Sequence, residues 1–180
     1  MTMSIPDYQT IMLPLLKFTS DGKEHSGEEV VDFLKDKFGL SLEDRKKLLP
    51  SGKQEVFNNR VGWARTYLKK AGLLKTTSRA HFSITDSGKK LLKEKPENID
   101  AKLLLRYPEF RYFKESKSDR KSRKTSSDKD NRTPQETLDY IHQHLTEELE
   151  KDVLAQLKDV SANRFEHIVI DLLIKMGYGG

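Results

Sequence analysis

The sequence predicts a mainly α-helical protein with one small β-hairpin and a charged break before its last quarter. Three observations carry that expectation. Apolar residues recur at helical spacing through most of the first 95 positions. One stretch, LLKTTSRAHFSIT, turns to β-rich residues around a polar break at Ser78–Ala80. Residues 114–132, KESKSDRKSRKTSSDKDNR, contain no apolar side chain. They cannot bury enough surface to offset a chain entropy of about 1–2 kcal/mol per residue, so they are expected to form a disordered basic linker.

The elements follow in order. YQTIMLPLLKF places Tyr8, Ile11, Met12, Leu15 and Leu16 on one helix face, with Pro14 expected to kink the helix or delay its start. HSGEEVVDFLKDKFG has Ser26 and Glu29 in capping-box spacing, Val30, Phe33, Leu34 and Phe38 on one side, and Gly39 as its stop. A short helix from Leu42 to Leu48 is expected from a Ser41 cap. In QEVFNNRVGWARTYLKKAGLL the stripe is Phe57, Val61, Ala64 and Leu68, and Gly72 ends it. After the hairpin, Thr85 and Asp86 open a helix through Leu92, closed by Pro96. Three helices, a β-ribbon and a helix, in that order, are the order of a winged helix-turn-helix.

IDAKLLLRYPEFRYF is expected to be partly helical, interrupted at Pro108, and to pack back through Leu104, Tyr107, Phe110 and Phe113. Beyond the linker, Thr133 and Pro134 form a cap and a first-turn proline. The helix they open carries Leu138, Ile141, Leu145, Leu149, Val153 and Leu157 at spacings of three and four. Ser161 caps a last helix whose expected buried face is Phe165, Ile168, Val169, Leu172, Leu173 and Met176. The domains expected are 1–113, a winged helix with a helical extension; 114–132, the linker; and 133–180, a helical segment. There is no internal repeat.

Charge points to a partner. The net charge of +5 divides into +6 over 1–113, +4 over 114–132 and −5 over 133–180. Residues 53–79 alone hold seven Lys/Arg against one acid, which suits a polyanion, although a solvated helix face reads the same way. The absence of cysteine excludes disulfides and thiolate zinc sites and suits a reducing cytoplasm. No signal pattern or membrane-length apolar run is present, so a soluble, cytoplasmic protein is expected.

Opposite the stripe of the third helix lie Asn58, Asn59, Gly62, Thr66, Lys69 and Lys70, with Arg60 and Arg65 at the flanks. Asn pairs bidentately with adenine and Thr touches a thymine methyl, which gives the first turns base-reading chemistry. Lys69, Lys70 and Lys75 suit phosphates, and Ser78 and Arg79 sit at the hairpin tip, where a wing meets the DNA backbone. The partner expected is double-stranded DNA. Trp63, beside the stripe, reads as a core-edge residue rather than a base-stacking one.

Catalytic motifs are lacking. His25, His81, His142, His144 and His167 are scattered, and His142 and His144 face nearly opposite ways on a helix. No metal site is expected. Glu166 stands in the first turn of the last helix, in capping-box spacing with Asn163, where an acid also favours the helix dipole.

Two stretches resemble a known family. SGKQEVFNNRVGWARTYLKKAGLL with AHFSITDSGKKLL is similar to the N-terminal winged-helix domain of Mrr-type restriction endonucleases, the modification-dependent type IV class. VSANRFEHIVIDLLIKMGYGG resembles the opening of that family's catalytic domain. The resemblance implies a magnesium-dependent PD-(D/E)xK nuclease acting on methylated DNA, with Glu166 matching an auxiliary acid near the metal. The family's other catalytic residues lie beyond the position of Gly180. The chain is therefore expected to bind DNA without cutting it and to need no cofactor of its own, Mg²⁺ being expected of the full-length family. The alternative is a non-enzymatic winged-helix regulator whose C-terminal helical pair serves dimerisation or a partner. An uncovered apolar stripe over 138–157 and 165–176 would favour homo-oligomers. A third reading is a winged helix serving as a protein-interaction adaptor.

Overall fold

A computed structural model describes residues 5–118 and 131–178, so most of the expected linker lies outside the described residues. The chain divides into two compact units, residues 1–137 and 138–180.

In the first unit, helix α1 (Tyr8–Phe18) starts from Asp7, whose carboxylate accepts from the Gln9 and Thr10 amides. It runs through Pro14 from its expected first residue. The carbonyl that loses a donor to Pro14 belongs to Thr10, which is exposed. A 3₁₀ turn, Thr19–Asp21, ends at Gly22 with φ +76°. Strand β1 (His25–Ser26) leads directly into helix α2 (Gly27–Lys37), where the Ser26–Glu29 capping box is fully formed. Val30 and Leu34 are buried, whereas Phe33 stays at the rim against Phe18, ring centroids 4.5 Å apart.

Helix α3 (Leu42–Lys46) has its Ser41 cap but stops before Leu48, because Lys47 turns to extended geometry and Leu48 bridges Glu55. Helix α4 (Val56–Lys70) crosses the unit with Phe57, Ala64 and Leu68 wholly buried. Strands β2 (Leu74–Ser78) and β3 (His81–Ile84) turn at Arg79–Ala80, with Ala80 at φ +65° and a bulge between Thr76 and Ser78. The sheet has three antiparallel strands in the order β1-β3-β2, one more than the hairpin expected. Strand β1 is two residues long and leaves no periodic signal.

Helix α5 (Asp86–Lys93) begins at Thr85, whose hydroxyl accepts from Gly88 and donates to the Gly72 carbonyl at 2.6 Å. Helix α6 (Ala101–Leu104) and helix α7 (Pro108–Ser118) follow. Pro108 begins α7 instead of interrupting a longer helix, as a proline without an N–H to satisfy can. Phe110 and Leu104 are buried as expected, and Phe110 and Phe113 gather around Tyr67 of α4. Burial holds the Tyr67 hydroxyl above its usual pKa, opposed by a hydrogen bond from Tyr8. Residues 131–137 complete this unit.

Helix α8 (Pro134–Asp159) has Thr133 as cap, and helix α9 (Ala162–Lys175) has Ser161. Within the second unit, the expected buried faces are open. Leu138, Ile141, Leu145, Leu149 and Val153 on α8, and Phe165, Ile168, Leu172 and Met176 on α9, are all exposed. Amphipathic spacing fixes which face needs cover, and among the described residues nothing covers these two. No helix among the described residues is long and apolar enough to cross a membrane.

Candidate nucleic-acid interface

Two adjoining grooves open along α4. The larger, about 670 Å³, lies between α4, the start of α2 and the β-ribbon. Its walls include Gln54, Asn58, Gly62 and Arg65 from the α4 side, Gly27 and Glu28 from α2, and His81 and Phe82 from β3. The smaller, about 180 Å³, runs between α4 and the ribbon and is walled by Arg65, Thr66, Lys69, Lys75, Thr76 and His81. Glu28 and Asp32 stand on the larger groove, but no acid lines the smaller one.

Arg65 joins the two grooves. Its guanidinium lies 5.4 Å from the centroid of the Phe82 ring, a cation–π contact. A side chain at Gly27 would begin 2.8 Å from Arg65 Nη1, so Gly27 is what lets the arginine lie across the start of α2. The residue is half-buried and lines both grooves. Beside it, Asn58 Oδ1 is buried without a hydrogen-bond partner, an acceptor whose desolvation is uncompensated. Thr66 donates its hydroxyl to the Gly62 carbonyl at 2.9 Å.

The structure gathers Asn58, Arg65, Thr66, Lys69 and Lys75 along these grooves, with exposed Ser78 and Arg79 at the ribbon tip. It directs three other residues from the sequence-derived set elsewhere. Lys70 lies over the Phe113 ring, 5.1 Å from its centroid, on the α7 side. Asn59 is buried, accepting from the Thr133 hydroxyl at 2.7 Å and donating to Gln54 Oε1 at 3.0 Å. Arg60 donates through Nε and Nη2 to Glu136 Oε1 at 2.9 and 2.7 Å, and through Nη1 to the carbonyls of Ile5 and Pro6. Trp63 is partly buried against the core with Tyr67 beside it, as its position next to the stripe suggests.

Glu166 is exposed on α9. The helix begins after Ser161, whose hydroxyl accepts from Arg164, so Asn163 lies inside the helix and the expected Asn163–Glu166 box does not form. Among the described residues no three His, Cys, Asp or Glu side chains are grouped to hold a metal ion. A lone exposed carboxylate does not fit a magnesium centre, which needs further oxygen ligands in octahedral array.

Residues 8–94 match the Mrr N-terminal domain. The type IV methyl-directed restriction enzyme EcoKMrr of Escherichia coli strain K12 is 29% identical over 187 residues, covering 99% of this chain and 61% of that protein. The chain thus spans less than two thirds of that relative's length. No solved structure matches.

Proposed function

We propose that the chain is of the Mrr restriction-endonuclease type, on the match of residues 8–94 to the Mrr N-terminal domain and the similarity to EcoKMrr, and that it binds duplex DNA through the grooves flanking α4. In this reading α2 to α4 and the ribbon work as a winged helix-turn-helix. Helix α4 enters the major groove, and the Arg79 tip reaches the sugar–phosphate backbone. The carrying observation is the smaller groove, where Arg65, Lys69 and Lys75 converge with no acid on the wall. Phosphates pass along that side, where charge outweighs geometry. Asn58 and the Glu28–Asp32 edge face bases, since carboxylates accept from cytosine amino groups and would repel phosphate. Asn59 and Arg60 are left out of the DNA-facing set because each is hydrogen-bonded within the chain, and Lys70 because it lies on the α7 side and lines neither groove.

EcoKMrr is described as methyl-directed, so methylated duplex in the cytoplasm is the substrate class we propose. The described residues offer no magnesium centre, and we derive no cleavage step from them. Homo-oligomer formation through the open faces of α8 and α9 belongs to the same proposal.

Fluorescence anisotropy of a labelled duplex at rising salt tests the reading. Each phosphate contact contributes about −0.9 to the slope of log K against log salt. Arg65→Ala, Lys69→Ala and Lys75→Ala should each weaken binding and flatten that slope by about one. Lys70→Ala should leave it unchanged. Absence of binding at low salt, or equal binding by the triple variant, refutes DNA recognition at this face.

A further inference from the structure

Helix α4 has a second polar edge, and it is occupied by the chain itself. Thr133 and Glu136 form a complete capping box: the Glu136 amide donates to Thr133 Oγ1 at 3.1 Å, and the Thr133 amide to Glu136 Oε2 at 2.7 Å. The same two side chains dock on α4. Thr133, wholly buried, donates its hydroxyl to Asn59, and Glu136 takes the Arg60 guanidinium in a largely buried ion pair. Asn131 adds contacts to Asp7 and Gln9 at the start of α1. One box thus both caps the first turn of α8 and docks on α4.

This clasp is connected to the groove. Asn59 passes the contact on, its Nδ2 donating to Oε1 of Gln54, which is exposed and lines the larger groove. The next residue on that wall is Asn58, with its unpartnered Oδ1. A hydrogen-bonded chain therefore runs from the buried Thr133 hydroxyl to an exposed amide beside Asn58 Oδ1, a buried side-chain acceptor without a partner. A ligand that takes Gln54 must keep that chain in register or break it.

We propose that Thr133 and Glu136 are positioning residues for the DNA-facing groove, and that the clasp and duplex binding stabilise each other through Asn59 and Gln54. The inference rests on the DNA-binding reading of the groove. Coupling of this kind is reciprocal: whatever factor the clasp adds to duplex affinity, duplex adds to clasp closure.

The experiment uses the full chain and an unmethylated and a methylated duplex at low salt. Amide hydrogen exchange is read at Glu136 and Thr137, whose N–H groups bond to Thr133, with residues 8–94 as the folding control. In the wild type, duplex should slow exchange at these two amides about 5-fold or more, the low end of ordinary coupling. Thr133→Val with Glu136→Gln should weaken duplex binding by a similar factor, and Thr133→Ser, which keeps the hydroxyl, should restore it beside native Glu136. Unchanged exchange on adding duplex overturns the coupling even if the double variant fails to fold. A folded double variant that binds within twofold of wild type overturns it as well. A wild-type chain that binds neither duplex overturns the reading of the groove, and the coupling with it.

Discussion

Gly62 stands in the interior of α4 on the groove side, and a methyl there would meet no atom within 4 Å beyond its neighbours and its own helix backbone. Its sign in a stability experiment follows from that space. Glycine in a helix interior costs about 1 kcal/mol against alanine. Gly62→Ala should therefore stabilise the fold by about 1 kcal/mol, raising the melting temperature by about 3–4 °C for a unit of this size. Gly88, also helical, is the opposite case. A Cβ there would lie 2.5 Å from the Leu73 carbonyl oxygen and 2.7 Å from Ile84 Cγ1. That carbonyl cannot withdraw freely, because it accepts from the Thr85 amide at 3.0 Å. The propensity gain is then outweighed by overpacking of about 1–3 kcal/mol, so Gly88→Ala should destabilise. Urea unfolding followed by Trp63, the chain's single tryptophan, reads both. On DNA, the Gly62 methyl occupies space where the α4 backbone faces the duplex, and binding should weaken about 5-fold, the equivalent of about 1 kcal/mol. A Gly62→Ala protein no more stable than wild type refutes the account of open space at α4. One that is more stable yet binds duplex equally well refutes a close approach of DNA at that position.

Three further outcomes are expected. Phe57→Ala, at a wholly buried ring in the middle of the first unit, should cost about 3–5 kcal/mol, measured as the urea midpoint; a cost under 1 kcal/mol would mean the core collapses around the cavity. Tyr67→Phe should cost about 1 kcal/mol at neutral pH through loss of the Tyr8 hydrogen bond, yet gain on wild type in alkali. The Tyr67 pKa is raised by burial, so its contribution is intact below the ordinary value of 10.0 and lost as pH rises through the folded value; parallel stability curves above pH 10 would contradict this. Duplex incubated with the chain and Mg²⁺ should remain uncut, and cleavage abolished by Glu166→Ala would show that the described residues hold more of a catalytic centre than an exposed carboxylate.

How much of this was legible in the sequence depends on whether a signal is local. The caps at Ser26, Ser41, Thr85 and Ser161 are read correctly because a cap needs only its own next three residues. The stripe of α4 is read correctly because Phe57, Val61, Ala64 and Leu68 share one face whatever covers it. Asn59 and Arg60 are a different kind of problem. Helical spacing turns Asn59 well away from that stripe, and by spacing alone it looks as free as Asn58. It is buried by Thr133, 74 residues away, and no periodicity within α4 carries that information. One signal was available. Thr133-Pro-Gln-Glu136 is a capping box immediately after a basic run, and its acid needs only one arginine to become a dock. The open faces of α8 and α9 are the converse case, in which the pattern correctly marks apolar faces but cannot name what covers them. An amphipathic pattern states a demand for burial, and only the partner decides whether it is met. On α4 the polar edge opposite the core met its partner within the chain, at Thr133 and Glu136, and that engages Asn59 and Arg60 inside the fold while Asn58, one residue away, lines the groove.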